Sequence, residues 1–324
     1  MNTEQRDFGR IALGVAPLGN LYSWVSDADA DATLRAALGH GIRLFDVAPL
    51  YGLGLAEQRL GRFLREHQGA RPAISTKVGR VLKAIATPGR HEQFVAPLRY
   101  EPEYDYSAAG IERSYEDSLR RLGVDRVQVL LLHDIDRFTH PDDHRGLMRQ
   151  VFAESLPTLQ RLKAEGRVDA IGLGLNQWDV AYEVLASADV DYVLLAGRYT
   201  LLDQSAHTSG FLDACRRRGV SVLAGGVFNS GFLAGGTHYD YRPAPDWLIE
   251  RRARMTEVCD RHNTPLPAAA LQFTASHALI DTVVIGARTA HEVDAMFELS
   301  RAKIPPDLWD DLQREGLITH APVR

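Results

Sequence analysis

The chain has 324 residues, of which 45% are hydrophobic, 24% charged and 8% aromatic, the profile of a protein with a large core and not of a disordered, collagen-like or repeat chain. Lysine and arginine number 37 against 42 aspartates and glutamates, a formal charge of −5, too weakly acidic to favour a nucleic-acid groove or an anionic membrane. Cys215 and Cys259 form neither a disulfide framework nor a Cys-x-x-Cys pair, Met1–Arg10 lacks the apolar core of a signal peptide, and no stretch approaches ~20 uninterrupted apolar residues, so a cytoplasmic protein with a small-molecule partner is expected.

In chain order, Arg10–Gly14 reads as a short strand. Ser26-Asp27-Ala28-Asp29 has the spacing of a helix start, and the Ala/Leu-rich stretch after it runs to His40, with Gly41 as its stop. Ile42–Asp46 is a strand-length run ending on a carboxylate, followed by a loop and a helix with Leu60, Phe63 and Leu64 on one face. Ala73–Lys77 and Val127–His133 repeat that pattern, each a strand closing on a polar residue. Between them Ile111, Tyr115, Leu119 and Leu122 form the apolar stripe of a helix that Gly123 ends. Further strands are legible at Val168–Gly174, Asp191–Ala196, Val220–Ala224 and Thr282–Ile285. About eight βα steps without a linker or composition shift predict a single α/β domain over residues 1–324, a closed (β/α)8 TIM barrel, with a doubly wound open sheet as the alternative. Two connections, residues 80–106 and Gly225 to about Asp246, are long enough to be lids or binding loops.

Asp46, Lys77 and His133 each end a strand and Tyr51 lies five residues beyond Asp46, so a barrel turns all four toward one mouth. Each taken alone has a structural explanation: loop capping for Asp46 and His133, packing for Tyr51, a solvated surface group for Lys77. Together they make an acid/base relay. A phenol near pKa ~10 is a poor base at neutral pH; an adjacent ammonium favours its phenolate, and a carboxylate keeps that ammonium charged and aimed. A histidine donor opposite the tyrosine orients a carbonyl or alcohol oxygen.

Phe45-Asp46-Val47-Ala48-Pro49-Leu50-Tyr51-Gly52 with Glu57, Ser75-Thr76-Lys77-Val78-Gly79, Ser118-Leu119-Arg120-Arg121-Leu122-Gly123 and Leu131-Leu132-His133-Asp134, with the patterns near 172–176 and 284–292, resemble the aldo-keto reductases over nearly the whole chain. The resemblance implies a (β/α)8 barrel that uses NAD or NADP in an extended pose, with Asp46, Tyr51, Lys77 and His133 as catalytic tetrad.

It also implies Asn176 as the side chain holding the nicotinamide carboxamide, although Leu175 stands where the family usually has serine. Ala196 replaces the usual glutamine of strand six, and glycine, at Gly225 or Gly226, replaces the aromatic that commonly stacks on the nicotinamide. The run Gly225-Gly226-Val227-Phe228-Asn229 has the glycine content for close backbone approach to a pyrophosphate, or is a turn with no ligand. Gly286-Ala287-Arg288 leads into a helix start, a natural phosphate position. Glu292 stands where NADP users commonly carry an arginine, which favours NAD; Thr289-x-x-Glu292 is also a capping box, which needs that glutamate locally. Within the family the chain looks most like sugar dehydrogenases acting on L-fucose, L-galactose and D-threo-aldoses, with pyridoxal 4-dehydrogenase similar. Tyr22 and Trp24, with the two long connections, are the expected substrate contacts. Rival readings are a Schiff-base aldolase using Lys77, a non-catalytic nucleotide-sensing binding protein, and a metal hydrolase, for which His133 and Asp134 are too few ligands. Oligomeric state is not legible.

Overall fold

The computed structural model describes residues 7–67, 69, 72–86 and 91–322; most of the polar start, Met1–Arg6, and residues 87–90 of the first long connection lie outside them. Eight strands, Ile11–Gly14 (β1), Leu44–Asp46 (β2), Ala73–Val78 (β3), Val127–His133 (β4), Val168–Leu175 (β5), Tyr192–Ala196 (β6), Ser221–Gly225 (β7) and Thr282–Gly286 (β8), pair in parallel in sequence order. β8 returns to β1 through Ile11↔Val283 and Gly14↔Gly286, closing the barrel. Helices cover the outside, as a parallel sheet with two apolar faces requires. Among the described residues no helix is long and apolar enough to cross a membrane.

The predicted starts and stops are those found. Ser26 Oγ accepts from the Asp29 N–H at 2.9 Å and opens the Asp27–Gly39 helix. Gly123, at φ 66°, ends Ala108–Leu122. The two long connections are not irregular loops: Arg80–Ala84 pairs antiparallel with Tyr100–Tyr104, and the second holds a one-turn helix at Phe232–Ala234 and a hairpin of His238–Tyr239 with Arg242–Pro243.

The alternation of a strand explains where the polar groups go. Ala12, Leu44, Val129, Leu131, Tyr192, Leu194, Leu223 and Val284 fill the barrel interior, with Phe8 packed on Tyr192 beneath them. Two residues further along, the same inward face carries Asp46 after Leu44 and His133 after Leu131, so the strands' carboxyl ends deliver them to one rim.

Candidate active site

Lys77 lies at the centre, 1% exposed. Its Nζ donates to Asp46 Oδ2 at 2.7 Å and to the Val47 carbonyl at 2.9 Å, and sits 4.8 Å from the centroid of the Tyr51 ring. Burial pushes the Asp46 carboxyl up, and the Lys77 ammonium pulls against it. Next to Lys77, Thr76 donates to Glu57, which also receives Arg121 Nε at 2.6 Å. Glu57 and Arg121 thus tie β3 to two flanking helices and leave Lys77 to face inward.

Tyr51 is held by a tight turn, with its N–H on the Ala48 carbonyl at 3.1 Å. That turn presses on the Ala16–Gly19 turn after β1: a Cβ on Gly19 would stand 2.6 Å from the Tyr51 carbonyl carbon, and one on Gly52, at φ 64°, 2.5 Å from the Gly19 oxygen. Among the described residues nothing hydrogen-bonds the Tyr51 hydroxyl, which is left for a ligand. The His133 ring meets the Tyr51 ring edge-on with centroids 6.2 Å apart, and Phe94 packs at 6.5 Å on another side.

Sequence reasoning missed Arg80. Its Nη1 lies 2.8 Å from His133 Nδ1 and its Nη2 2.6 Å from Asp134 Oδ2. A guanidinium only donates, so His133 Nδ1 accepts and the neutral ring carries its proton on Nε2. That Nε2 is 3.5 Å from Asp134 Oδ2, too long to engage it, and remains a donor for a ligand oxygen. Burial, then the Arg80 and Lys77 charges, hold His133 well below the usual imidazole range. Arg80 begins the hairpin three residues after Lys77; its position beside the Lys77 motif was the available signal. Asp134, at φ 48°, continues to Asn176, whose Nδ2 donates to its Oδ1 at 3.1 Å.

One expectation is corrected. The Lys77–Asp46 pair was expected to depress the Tyr51 pKa; instead burial, followed by the Asp46 and Asp134 charges, holds the phenol well above its usual value, with Arg80 opposing them. The physical reason is the pairing itself: Lys77 is neutralised at close range by Asp46, and what remains at Tyr51 is desolvation.

Of the expected cofactor contacts, Asn176 stands at the end of β5, its Oδ1 3.4 Å from the Tyr241 hydroxyl. Tyr241, reaching back from the second hairpin, is a further residue that the sequence did not reveal. In the run after β7, Gly226 has φ 63°, Val227 and Asn229 are buried, and Asn229 Oδ1 is buried without a partner. The Val227 and Phe228 N–H groups donate to nothing among the described residues. Gly286 and Ala287 lead to the helix Ala290–Arg301, where Glu292 N–H donates to Thr289 Oγ1 at 3.2 Å. Thr289 thus caps the helix, while the Glu292 carboxylate receives not the Thr289 N–H but that of Arg288, at 2.7 Å, and the Arg288 guanidinium at 2.6 Å, so Arg288 is engaged. An amide beside the tetrad, unbonded N–H groups and an orphaned carbonyl oxygen after β7, and a helix N-terminus after β8 fit an extended nicotinamide dinucleotide.

Tyr22 belongs to the mouth: it stacks on His238 at 5.0 Å and its N–H donates to Gln93, linking the two long connections. Trp24, two residues on, is 65% exposed, and among the described residues no ring contact joins it to Tyr22, Phe94 or Tyr241.

A model described as the aldo/keto reductase family matches residues 10–315. Pyridoxal 4-dehydrogenase of Microbacterium luteolum is 39% identical, covering 98% of both chains. D-threo-aldose 1-dehydrogenase of a Pseudomonas species is 38% identical, covering 95% of this chain and 94% of its own. L-galactose dehydrogenase of Arabidopsis thaliana is 28% identical over 88% and 82%. Among solved structures, an aldo-keto reductase from Bacillus halodurans in its holo form superposes with a TM-score of 0.71 at 22% identity, over 97% of this chain and 94% of that one, a likeness of fold. The chain belongs to the aldo/keto reductase family and is an NAD(P)-dependent oxidoreductase on a (β/α)8 barrel.

Proposed function

We propose that this oxidoreductase removes hydride from the anomeric carbon of an aldose, L-fucose or another D-threo-aldose, and releases the lactone, with Tyr51 as general acid/base and NAD preferred to NADP. The observation that carries this is the unengaged Tyr51 hydroxyl between the Lys77–Asp46 pair and the His133 ring. In a cyclic hemiacetal, loss of hydride from C1 and of the proton from its hydroxyl makes the lactone carbonyl. Bound nicotinamide supplies the hydride acceptor. His133, fixed by Arg80 as an Nε2–H donor, holds the anomeric oxygen, and Tyr51 takes its proton. Lys77 and Asp46 set the position of Tyr51 and anchor the proton-accepting end of the site.

Asn176 is assigned to the carboxamide, the Gly225–Asn229 run to the pyrophosphate and Gly286–Arg288 to the adenosine half. The preference for NAD rests on Glu292: it occupies Arg288, so the cation nearest that turn is not free for a 2′-phosphate. Tyr22, Phe94 and Tyr241 give the mouth aromatic faces suited to the apolar side of a sugar.

A second reading, oxidation of the pyridoxal hemiacetal to 4-pyridoxolactone, uses the same groups and is favoured by the 39% identical relative and the aromatic wall. Initial rates of reduced-nicotinamide formation with NAD and with NADP, on L-fucose, D-arabinose, L-galactose and pyridoxal, separate the two. Turnover of sugars with NAD supports the first; turnover of pyridoxal alone replaces it with the second. No turnover with either cofactor despite tight nucleotide binding moves the protein to the nucleotide-sensing class.

A further inference from the structure

Three histidines from distant parts of the chain meet outside the barrel wall. His207 sits in the Ser205–Thr208 turn after β6, His277 ends the Leu266–Ser276 helix before β8, and His320 follows the Pro306–Arg314 helix near the end of the described chain. His277 is buried and the other two half-buried. One ring nitrogen of each lies within 4.8 Å of the others. His277 Nε2 is 3.0 Å from His207 Nδ1, the His207 and His320 rings stack at 4.0 Å, and His277 stands edge-on to both, at 76° and 81°. His320 Nε2 is 3.1 Å from the Tyr199 hydroxyl. Among the described residues no lysine or arginine hydrogen-bonds any of the three rings; Arg10 reaches only the His277 carbonyl, at 3.5 Å. No hydrogen bond or ring contact joins the cluster to Asp46, Tyr51, Lys77 or His133.

We propose that His207, His277 and His320 are the ligands of a divalent transition-metal ion of the zinc, nickel or copper kind, which fastens the C-terminal segment to the barrel wall. Imidazole suits these ions and not magnesium or calcium, which take oxygen. Three nitrogens leave a fourth position for water, on the half-buried side formed by His207 and His320. His207 Nδ1 faces the His277 Nε2–H and so accepts; the Thr319 hydroxyl donates to Gln204, so His320 Nδ1, 3.0 Å from that oxygen, is the donor and His320 Nε2 accepts from Tyr199. His277 accepts the Leu279 N–H on Nδ1 at 3.1 Å and therefore carries its proton on Nε2. Coordination moves that proton to Nδ1 and gives up the Leu279 bond, with no net proton release from this ring. His320, on an open segment, turns from Tyr199 to complete the set.

The test is calorimetric titration of untagged protein with zinc chloride, beside thermal melts with zinc and with chelator. The expected result is one strong equivalent in the wild type, weakened at least about tenfold in His207→Gln and in His320→Gln. Zinc should raise the wild-type Tm and leave both variants unmoved. Turnover in chelator should match the wild type in both, which shows that they fold and that the effect is not at the tetrad. No strong equivalent, or one that both variants retain, overturns the proposal.

Discussion

At the scale of single residues, the environment of Tyr51 sets the pH behaviour. Oxidation needs the phenolate and reduction the phenol. Because burial and the Asp46 and Asp134 charges hold the phenol above its usual range, the oxidation rate should climb with pH through the alkaline region without levelling near ~10, and the reduction rate should stay flat until that limit. A plateau in kcat for oxidation at or below neutral pH would contradict the assignment. Tyr51→Phe removes a hydroxyl with no protein partner, so it should cost about 10²–10⁴-fold in kcat while stability changes by no more than ~0.5 kcal/mol. The Arg80–His133 contact makes a separate prediction. In the paired variant Arg80→Gln/Asp134→Asn no buried charge is stranded, yet the larger of the two cationic contributions that join burial in depressing His133 is gone. The His133 imidazole should then titrate at higher pH, read by NMR; an unchanged His133 titration would remove Arg80 from control of it. Glu292→Gln tests the NAD preference: with Arg288 less firmly held, NADP kcat/KM should rise relative to NAD, and an unchanged ratio of the two would sink that reading.

At the scale of elements, two glycines separate positioning from packing. Gly19 sets the contact between the turn after β1 and the turn that carries Tyr51, and the Cβ of Gly19→Ala would meet backbone at 2.6–2.8 Å. Backbone cannot swing aside as a side chain does, so the Tyr51 turn must shift. A displacement near 1 Å at a reacting group costs on the order of 10²-fold in rate, and Gly19→Ala should lose kcat while remaining folded by circular dichroism. Gly61 makes an equally close contact elsewhere: its added Cβ would lie 2.3 Å from the Leu122 carbonyl, between the Leu55–Glu66 and Ala108–Leu122 helices. Gly61→Ala should cost about 1–3 kcal/mol of stability with turnover per folded molecule unchanged. Equal activity losses in the two would mean that the Gly19 contact does not position Tyr51. The eight strands were legible because each is a short apolar run bounded by turn residues, and the tetrad because strand ends place polar side chains on one rim. The hairpin that delivers Arg80 was not, since its partner strand, Tyr100–Tyr104, has Pro102 at its centre and glutamates on both sides of it, a composition that argues against a strand. Tyr241 was hidden for a related reason: a two-residue pairing leaves no periodicity to read.

At the scale of the molecule, closure of the barrel joins residues about 270 apart in sequence, and Arg10 does much of the joining. It precedes β1 and its guanidinium donates to the carbonyls of Ala275, His277, Ile280 and Asp281, the segment that leads into β8. Several carbonyls at the end of the Leu266–Ser276 helix and in the following turn have no strand or helix partner of their own, so one fork of donors satisfies what the chain reversal leaves open. Desolvation lowers the Arg10 pKa from its very basic value, with Asp281 opposing, and the group remains cationic at every pH at which the protein is handled. Arg10→Met keeps the apolar stem and removes the donors. Because the group is half-exposed and water replaces part of what is lost, the cost should be on the order of 1–2 kcal/mol, read in a chain of 324 residues as a fall in Tm of roughly 1.5–3 °C. The tetrad lies at the opposite, carboxyl end of the strands, so KM and the pH profile should be unchanged. A variant that melts with the wild type would show that β1–β8 pairing closes the barrel without help; one that loses activity at temperatures well below its melt would show instead that the seam transmits its strain from Ile11 through Gly14 to the Ala16–Gly19 turn beneath Tyr51.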